Sequence, residues 1–407
     1  MRKEISIIGC GMGTPESLTQ QAAAVLKKAQ LVFGPERLVK TLAGEKQRTI
    51  SGYHVTELMH LLETCREEQI AVLVSGDSGF YSAAALYAEQ LAETKEIYTL
   101  RICPGISSLS YLSAKTAQPW GDAVIYSIHG RAQNYYASLC AEEKFVLLGG
   151  NGFSEVLQEL ARLGYGKSEV WIGEKLGGAE ERIQHGTVTE LLKTQTDPLS
   201  LMLVRPDGDG VHLRQFGIAD DAFVRGDVPI TKSEVRAVVM SRLAVGRRDV
   251  VYDIGAGTGS VSVECSIAAA YGTVFAIEQN AEALQLLEKN KERFLCRNLQ
   301  IVSGMAPEAL RELPAPEKAF VGGSKGKMQE ILKTLLQKNP KIHAVINVTA
   351  LETLQETLQA LKKLEYGEPE IAQIAVSRAV TRGRYHMMEG LNPVYIITVD
   401  GSGTAGS

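Results

Sequence analysis

At 407 residues, with 45% hydrophobic and 22% charged residues, the chain has the composition of ordinary globular domains and more length than one core usually supports. The net charge of -4 is small and neither half is strongly basic, which disfavours a protein that grips a phosphate backbone. No run approaches the roughly 20 apolar residues that span a bilayer, and the six cysteines lack CxxC spacing and sit mostly in apolar runs, as reduced thiols do. The expectation is a cytoplasmic α/β protein of two or three domains, with neither nucleic acid nor membrane as a partner.

In chain order, the first half alternates β-rich runs with helical patterns: ISIIGCG, a helix over 17–29, LVFG, a further helix, AVLVSG, a helix over 83–92 and YTLRIC. After the break at Pro119-Trp120-Gly121 come AVIYSIHG, KFVLLGG, a helix over 153–163, SEVWIGEKL and LSLMLVR, so residues 1–205 read as one domain of two lobes. A polar linker is expected over 206–228. From 229 to 400 a second cycle opens with a helix over 232–243 and brings seven strand candidates: DVVYD, TVFAIE, LQIVS, KAFV, HAVINV, EIAQI and PVYIITV. Helices between them, from 261, over 281–293, from 328 and through 361, predict an open doubly wound sheet. Residues 401–407 read as a flexible tail.

The strongest chemical signal lies where VVYD runs into Gly255-Ala256-Gly257-Thr258-Gly259. Such a turn lets backbone pass close to a ligand at the carboxyl end of a first strand. Asp253 precedes the first glycine, where its carboxylate meets either a ligand's ammonium or a structuring amide. Glu278 ends the next strand about 20 residues later, the place of an acid that holds two ribose hydroxyls. Both acids can instead be solvated strand ends. A dinucleotide and a methyl donor remain open at this point. The flanks narrow the choice: Ile230 to Arg236 before the first strand, Ser303 to Glu308 after the third, Phe320 to Ser324, Asn347 to Thr353, and Gly390 to Tyr395.

With those segments, residues 210–400 resemble the decarboxylating carbon-15 methyltransferases of corrin biosynthesis. The resemblance implies a Rossmann-like class I methyltransferase fold and an S-adenosylmethionine site built from Asp253, Gly255, Gly257, Gly259, Glu278, Met305 and Ala306. Met305 stands where that family commonly has an acidic residue, so an apolar adenine contact is expected there.

The first half offers Gly9-Cys10-Gly11-Met12-Gly13-Thr14-Pro15, then Ser75 to Ser82 (SGDSGFYS), Cys103 to Leu109, Pro119-Trp120 and Ser127 to Arg131. In that order they resemble the tetrapyrrole methylases, the class III methyltransferases, over residues 1–205. The resemblance implies a two-lobed fold, a donor loop with Gly76, Asp77, Gly79 and Tyr81, and a substrate-facing turn at Gly11. Ser78 replaces a proline common in that loop. His129 is either a strand-end histidine or a substrate contact, and Arg131 is expected to meet a carboxylate and act in catalysis.

Together the two resemblances imply methylation of carbons 5 and 15 of a corrin precursor, loss of carbon dioxide from the ring C acetate, and one S-adenosylmethionine per domain. They also imply a homo-oligomer, dimer or tetramer. Methyl transfer from a sulfonium needs alignment and exclusion of water more than a nucleophilic side chain, and the scattered histidines and cysteines form no recognisable metal-ligand cluster, so no metal is expected. His386 is the candidate proton donor. Lys232, Arg236, Lys325, Arg378, Arg382 and Arg384 are the candidate partners of substrate carboxylates, or else solvated basic faces. The alternative is an S-adenosylmethionine-dependent methyltransferase acting on RNA or another small molecule.

Overall fold

In the computed structural model, Lys3–Gly9 (β1) is buried over its last five residues because neighbouring strands flank it and side chains pack on both of its faces. Residues 3–92, 98–128, 133–149, 152–208 and 216–401 are described. Leu31–Gly34 (β2), Arg48–Ser51 (β3), Gln69–Val74 (β4) and Tyr98–Cys103 (β5) join β1 in a parallel sheet of order β3-β2-β4-β1-β5. Ile5 and Ile7 enter one core with Phe33 and Val72, and Ile8 enters another with Val32 and Leu73. Burial of each such side chain contributes about 1.5–3 kcal/mol.

A second sheet holds Val124–Ser127 (β6), Phe145–Leu148 (β7), Glu169–Glu174 (β8), Arg182–Thr187 (β9) and Ser200–Arg205 (β10), in the order β6-β7-β10-β8-β9 with β8 antiparallel to both neighbours. The helix expected over 17–29 is Gln20–Lys28. Its start is set by Thr19, whose hydroxyl accepts from the Ala22 N–H at 3.1 Å, while Pro15–Ser17 forms a separate 3-10 turn.

The third sheet runs Leu299–Ser303 (β13), Thr273–Glu278 (β12), Val250–Ile254 (β11), Lys318–Val321 (β14), His343–Val348 (β15), Val394–Asp400 (β19), Glu370–Ile374 (β16). β19 runs antiparallel to both β15 and β16, and the remaining pairs are parallel. All seven expected strands are in it. The chain order reverses between β11 and β14, so the loops after them splay apart and leave a crevice at the carboxyl edge. Helix Ala281–Arg293 begins at Asn280, whose side chain accepts from the Ala283 N–H at 3.0 Å, and ends with Lys291 and Arg293 against its carbonyl pole.

Ser377–Arg382 (β17) and Tyr385–Gly390 (β18) form a hairpin that the sequence did not predict, turning on Gly383 at φ +62°. The edge strands β3 and β9 were likewise not predicted. Most residues of β17, β18 and β3 are exposed, so they lack the alternating apolar face by which strands are recognised. By contacts the chain divides into a unit of 1–125 and 146–208 and a unit of 126–145 and 209–407. Within the latter, the Asn134 side chain donates to Ser266 at 3.0 Å and Tyr126 stacks on Tyr271. Among the described residues no helix is long and apolar enough to cross a membrane.

Candidate functional site

The β11 turn packs backbone against backbone. Gly255, Gly257 and Gly259 all have positive φ, and a Cβ on Gly259 would lie 2.0 Å from Leu287 Cδ1. A side chain there is excluded by conformation and by space alike. The turn opens onto a cavity of about 620 Å³ at the reversal of the sheet. Gly255, Gly257, Glu278, Met305 and Ala306 line it, as do Lys232 and Lys325. Glu278 is held by three amides: its Oε2 accepts from Gly257 N at 2.9 Å, and its Oε1 accepts from Gln279 N and Asn280 N at 2.8 Å each. Those bonds aim the carboxylate and leave lone pairs for a ligand. Met305 brings a thioether rather than a charge to the wall after β13.

Several lining groups were not singled out from the sequence. Thr258 and Asn347 line the cavity, and their buried Oγ and Oδ1 have no partner among the described residues, which is the condition of groups that await a polar ligand. Asn280, Thr349 and Asn392 add further polar edges. The signal for Thr258 lay within the glycine turn, and that for Asn347, Thr349 and Asn392 within segments read only for their family likeness. An aminoacyl sulfonium nucleoside fits this set: a carboxylate for a diol, an apolar thioether wall, and unpaired hydroxyl and amide groups.

Asp253 and Gly259 stand behind this lining rather than in it. Asp253 is fully buried, takes a hydrogen bond from the Ser262 hydroxyl, and keeps Oδ1 unpaired. It is therefore a support of the turn. Burial pushes its carboxyl up from an ordinary 3.8 to about 7, with Ser262 opposing and the charge of Glu278 reinforcing the rise. The folded unit therefore holds this proton more tightly than the unfolded chain. The stability it contributes is full below about pH 4, falls as pH rises toward 7, and is flat above. Thermal melts of Asp253→Asn are expected to show a shallower decline between pH 4 and 7 than the wild type. An unchanged slope would contradict the assignment.

The structure corrects several of the basic candidates. Arg236 is not at the mouth: it is fully buried, with Nε donating to Glu264 Oε1 at 2.6 Å. Arg378 is bound to Glu234 and Asp220. Arg382, 3.8 Å from Glu389, and Arg384, which donates to the Tyr385 hydroxyl, lie on the exposed hairpin outside the cavity lining. His386 faces Thr381 across that hairpin and also lies outside the lining, so it reaches no reacting group there.

In the first unit three loops meet at the carboxyl ends of β1, β4 and β5. Gly11 and Gly76 exchange backbone hydrogen bonds of 2.9 and 3.1 Å. A Cβ on Gly105 would lie 2.3 Å from the Gly76 carbonyl oxygen, so close approach demands glycine. Asp77 ties the loops: Oδ1 accepts from Gly79 N at 2.8 Å and Oδ2 from Gly105 N at 3.0 Å. Tyr81, at φ +47°, is exposed and donates to the Ile125 carbonyl at 3.4 Å. Met12, Phe80 and Leu109 pack with Trp171 and Leu203 of the second lobe. His129 and Arg131 lie outside the described residues.

Residues 4–192 match the model of the tetrapyrrole (corrin/porphyrin) methylases, and residues 221–400 that of the precorrin methyltransferase domain. The precorrin-6Y C(5,15)-methyltransferase [decarboxylating] of Sinorhizobium sp is 28% identical over 78% of this chain and 78% of its own length. A protein of Pyrobaculum calidifontis named "Probable cobalt-precorrin-6B C(15)-methyltransferase (decarboxylating)" is 42% identical over 45% of this chain and 94% of its own. The crystal structure of precorrin-6y C5,15-methyltransferase from Geobacter metallireducens GS-15 aligns with TM-score 0.44 and 38% identity, over 46% of this chain and 100% of that one. The chain is a methyltransferase of a kind that uses S-adenosylmethionine, with an N-terminal tetrapyrrole methylase domain and a C-terminal precorrin methyltransferase domain.

Proposed function

We propose that this chain methylates carbons 5 and 15 of a precorrin-type ring in cobalamin biosynthesis and removes carbon dioxide from the ring C acetate. Residues 1–205 would carry the carbon-5 step, and residues 229–400, after a linker over 206–228, the carbon-15 step and the decarboxylation. Each domain takes one S-adenosylmethionine, and the chain works as a cytoplasmic homo-oligomer. The observation that carries this reading is the cavity at the β11–β14 reversal, whose polar lining fits the donor in a chain whose other half is a tetrapyrrole methylase.

Bound, the donor supplies a sulfonium methyl group that an electron-rich ring carbon can take directly. Glu278 holds and orients the ribose-type diol, Thr258 and Asn347 complete their own hydrogen bonding, and Met305 and Ala306 shield the base from water. Lys232 and Lys325 line the same cavity and have no ion-pair partner among the described residues, so they are free to hold the substrate's peripheral carboxylates. In the first unit Asp77 keeps the donor loop against the Gly105 loop, and Gly11 faces the substrate. Calorimetric titration with S-adenosylmethionine tests the reading: two sites per chain are expected, and a single site would contradict it.

A further inference from the structure

The Arg378 guanidinium is already engaged. Its Nε donates to Glu234 Oε1 at 3.0 Å, and its Nη2 reaches Glu234 Oε2 at 2.5 Å, Asp220 Oδ2 at 2.9 Å and Ser233 Oγ at 3.2 Å. Asp220 is itself buried and 3.5 Å from Arg236 Nη1. Arg236 then binds Glu264 Oε1 at 2.6 Å, the Thr231 carbonyl at 2.5 Å and the Ile218 carbonyl, while Glu264 accepts from Gly217 N and Ile218 N. The result is one connected set of charges with few groups unsatisfied, of the kind that fixes geometry rather than contributing much net stability.

The two ends of this set both reach the cavity. At one end, Thr231 and Lys232 line it, and the adjoining Pro229 carbonyl would lie 3.4 Å from a Cβ on Gly257. At the other, Arg378 sits two residues after Val376, at the base of the hairpin. There Leu391 N donates to the Val376 carbonyl at 2.8 Å, and both residues line the cavity. Val376 follows β16, and Leu391 precedes β19. Both therefore lie on the β14-β15-β19-β16 side of the sheet, away from the donor residues on β11, β12 and β13.

We propose that Arg378 is a positioning residue that pins the apolar hairpin base, Val376 and Leu391, against the Thr231–Glu234 segment, and so shapes the macrocycle side of the cavity without touching substrate. This rests on the reading of the cavity as a corrin methylation site. A direct ligand and a pin predict opposite responses to loss of Glu234. A ligand would be released for substrate by Glu234→Gln, whereas a pin would be lost.

The test compares wild type, Arg378→Met, Glu234→Gln and the double variant of the full chain. The readouts are steady-state kinetics with a precorrin-6B-type substrate and hydrogen–deuterium exchange of the peptide carrying the Leu391 amide. Each single change is expected to raise KM for the macrocycle about tenfold, with kcat and the donor Kd little changed. The double variant should be no worse than either single one, and exchange at Leu391 should quicken in all three. Glu234→Gln that leaves or lowers KM while Arg378→Met raises it would overturn the proposal in favour of a direct ligand. Unchanged exchange at Leu391 would overturn it as well. Exchange is read without substrate, so it judges the pin by itself, and failure of the wild type to turn over would strike the functional reading alone.

Discussion

Glu278→Ala is expected to weaken S-adenosylmethionine binding at the second site by about 100-fold or more and to stop carbon-15 methylation, while carbon-5 chemistry continues. A carboxylate that meets a vicinal diol makes two charge-assisted hydrogen bonds of about 1.5–3 kcal/mol each, and each 1.4 kcal/mol is tenfold in affinity. The loss exceeds those two bonds, because Gly257, Gln279 and Asn280 each direct an N–H at this carboxylate. Without it the glycine turn loses one of its fixed points. Titration calorimetry should show the stoichiometry fall from two sites to one. Two sites of unchanged affinity would remove Glu278 from the donor site.

Asp77→Ala is expected to do the reverse, lowering carbon-5 methylation about 100-fold and leaving the second domain active. The two oxygens of Asp77 bridge the loop after β4 and the loop after β5, and charge-assisted bonds of this kind contribute about 1.5–3 kcal/mol each. The loops around it are already brought together by the Gly11–Gly76 exchange and by the bare backbone of Gly105. Freeing Gly79 and Gly105 should therefore misplace the donor loop rather than unfold the unit. Separate assays of the two methylations read the outcome. Loss of both activities from this change would contradict independent sites.

The parts of the molecule that were legible in the sequence are those whose chemistry is local. A glycine turn between a buried strand and a helix, with an acid at the end of the next strand, reads directly as a ligand crevice because β11 and β12 must lie side by side for Gly257 to meet Glu278. The continuous apolar runs of the parallel strands were equally plain. What stayed hidden depends on distant partners. Arg236 looked like one more basic residue on a helix, yet its burial is decided by Glu264, 28 positions later, and by carbonyls of the preceding segment. Arg378 was read as a substrate partner or a solvated basic residue because nothing local shows that Glu234 and Asp220 engage its Nε and Nη2. His386 was named as a candidate proton donor, and a hairpin with no buried face gave no periodic signal to place it elsewhere. Asp253 was expected among the donor contacts or as a structuring group, and its full burial behind the lining fits the structuring role, as a support of the turn.

The most direct test of the account is mass spectrometry of a precorrin-6B-type substrate incubated with the purified full chain and methyl-labelled S-adenosylmethionine. The expected product has gained two labelled methyl groups and lost one carbon dioxide, with Glu278→Ala and Asp77→Ala each removing a different one of the two methyl gains. A wild-type product with a single methyl gain, or with no loss of carbon dioxide, would contradict it.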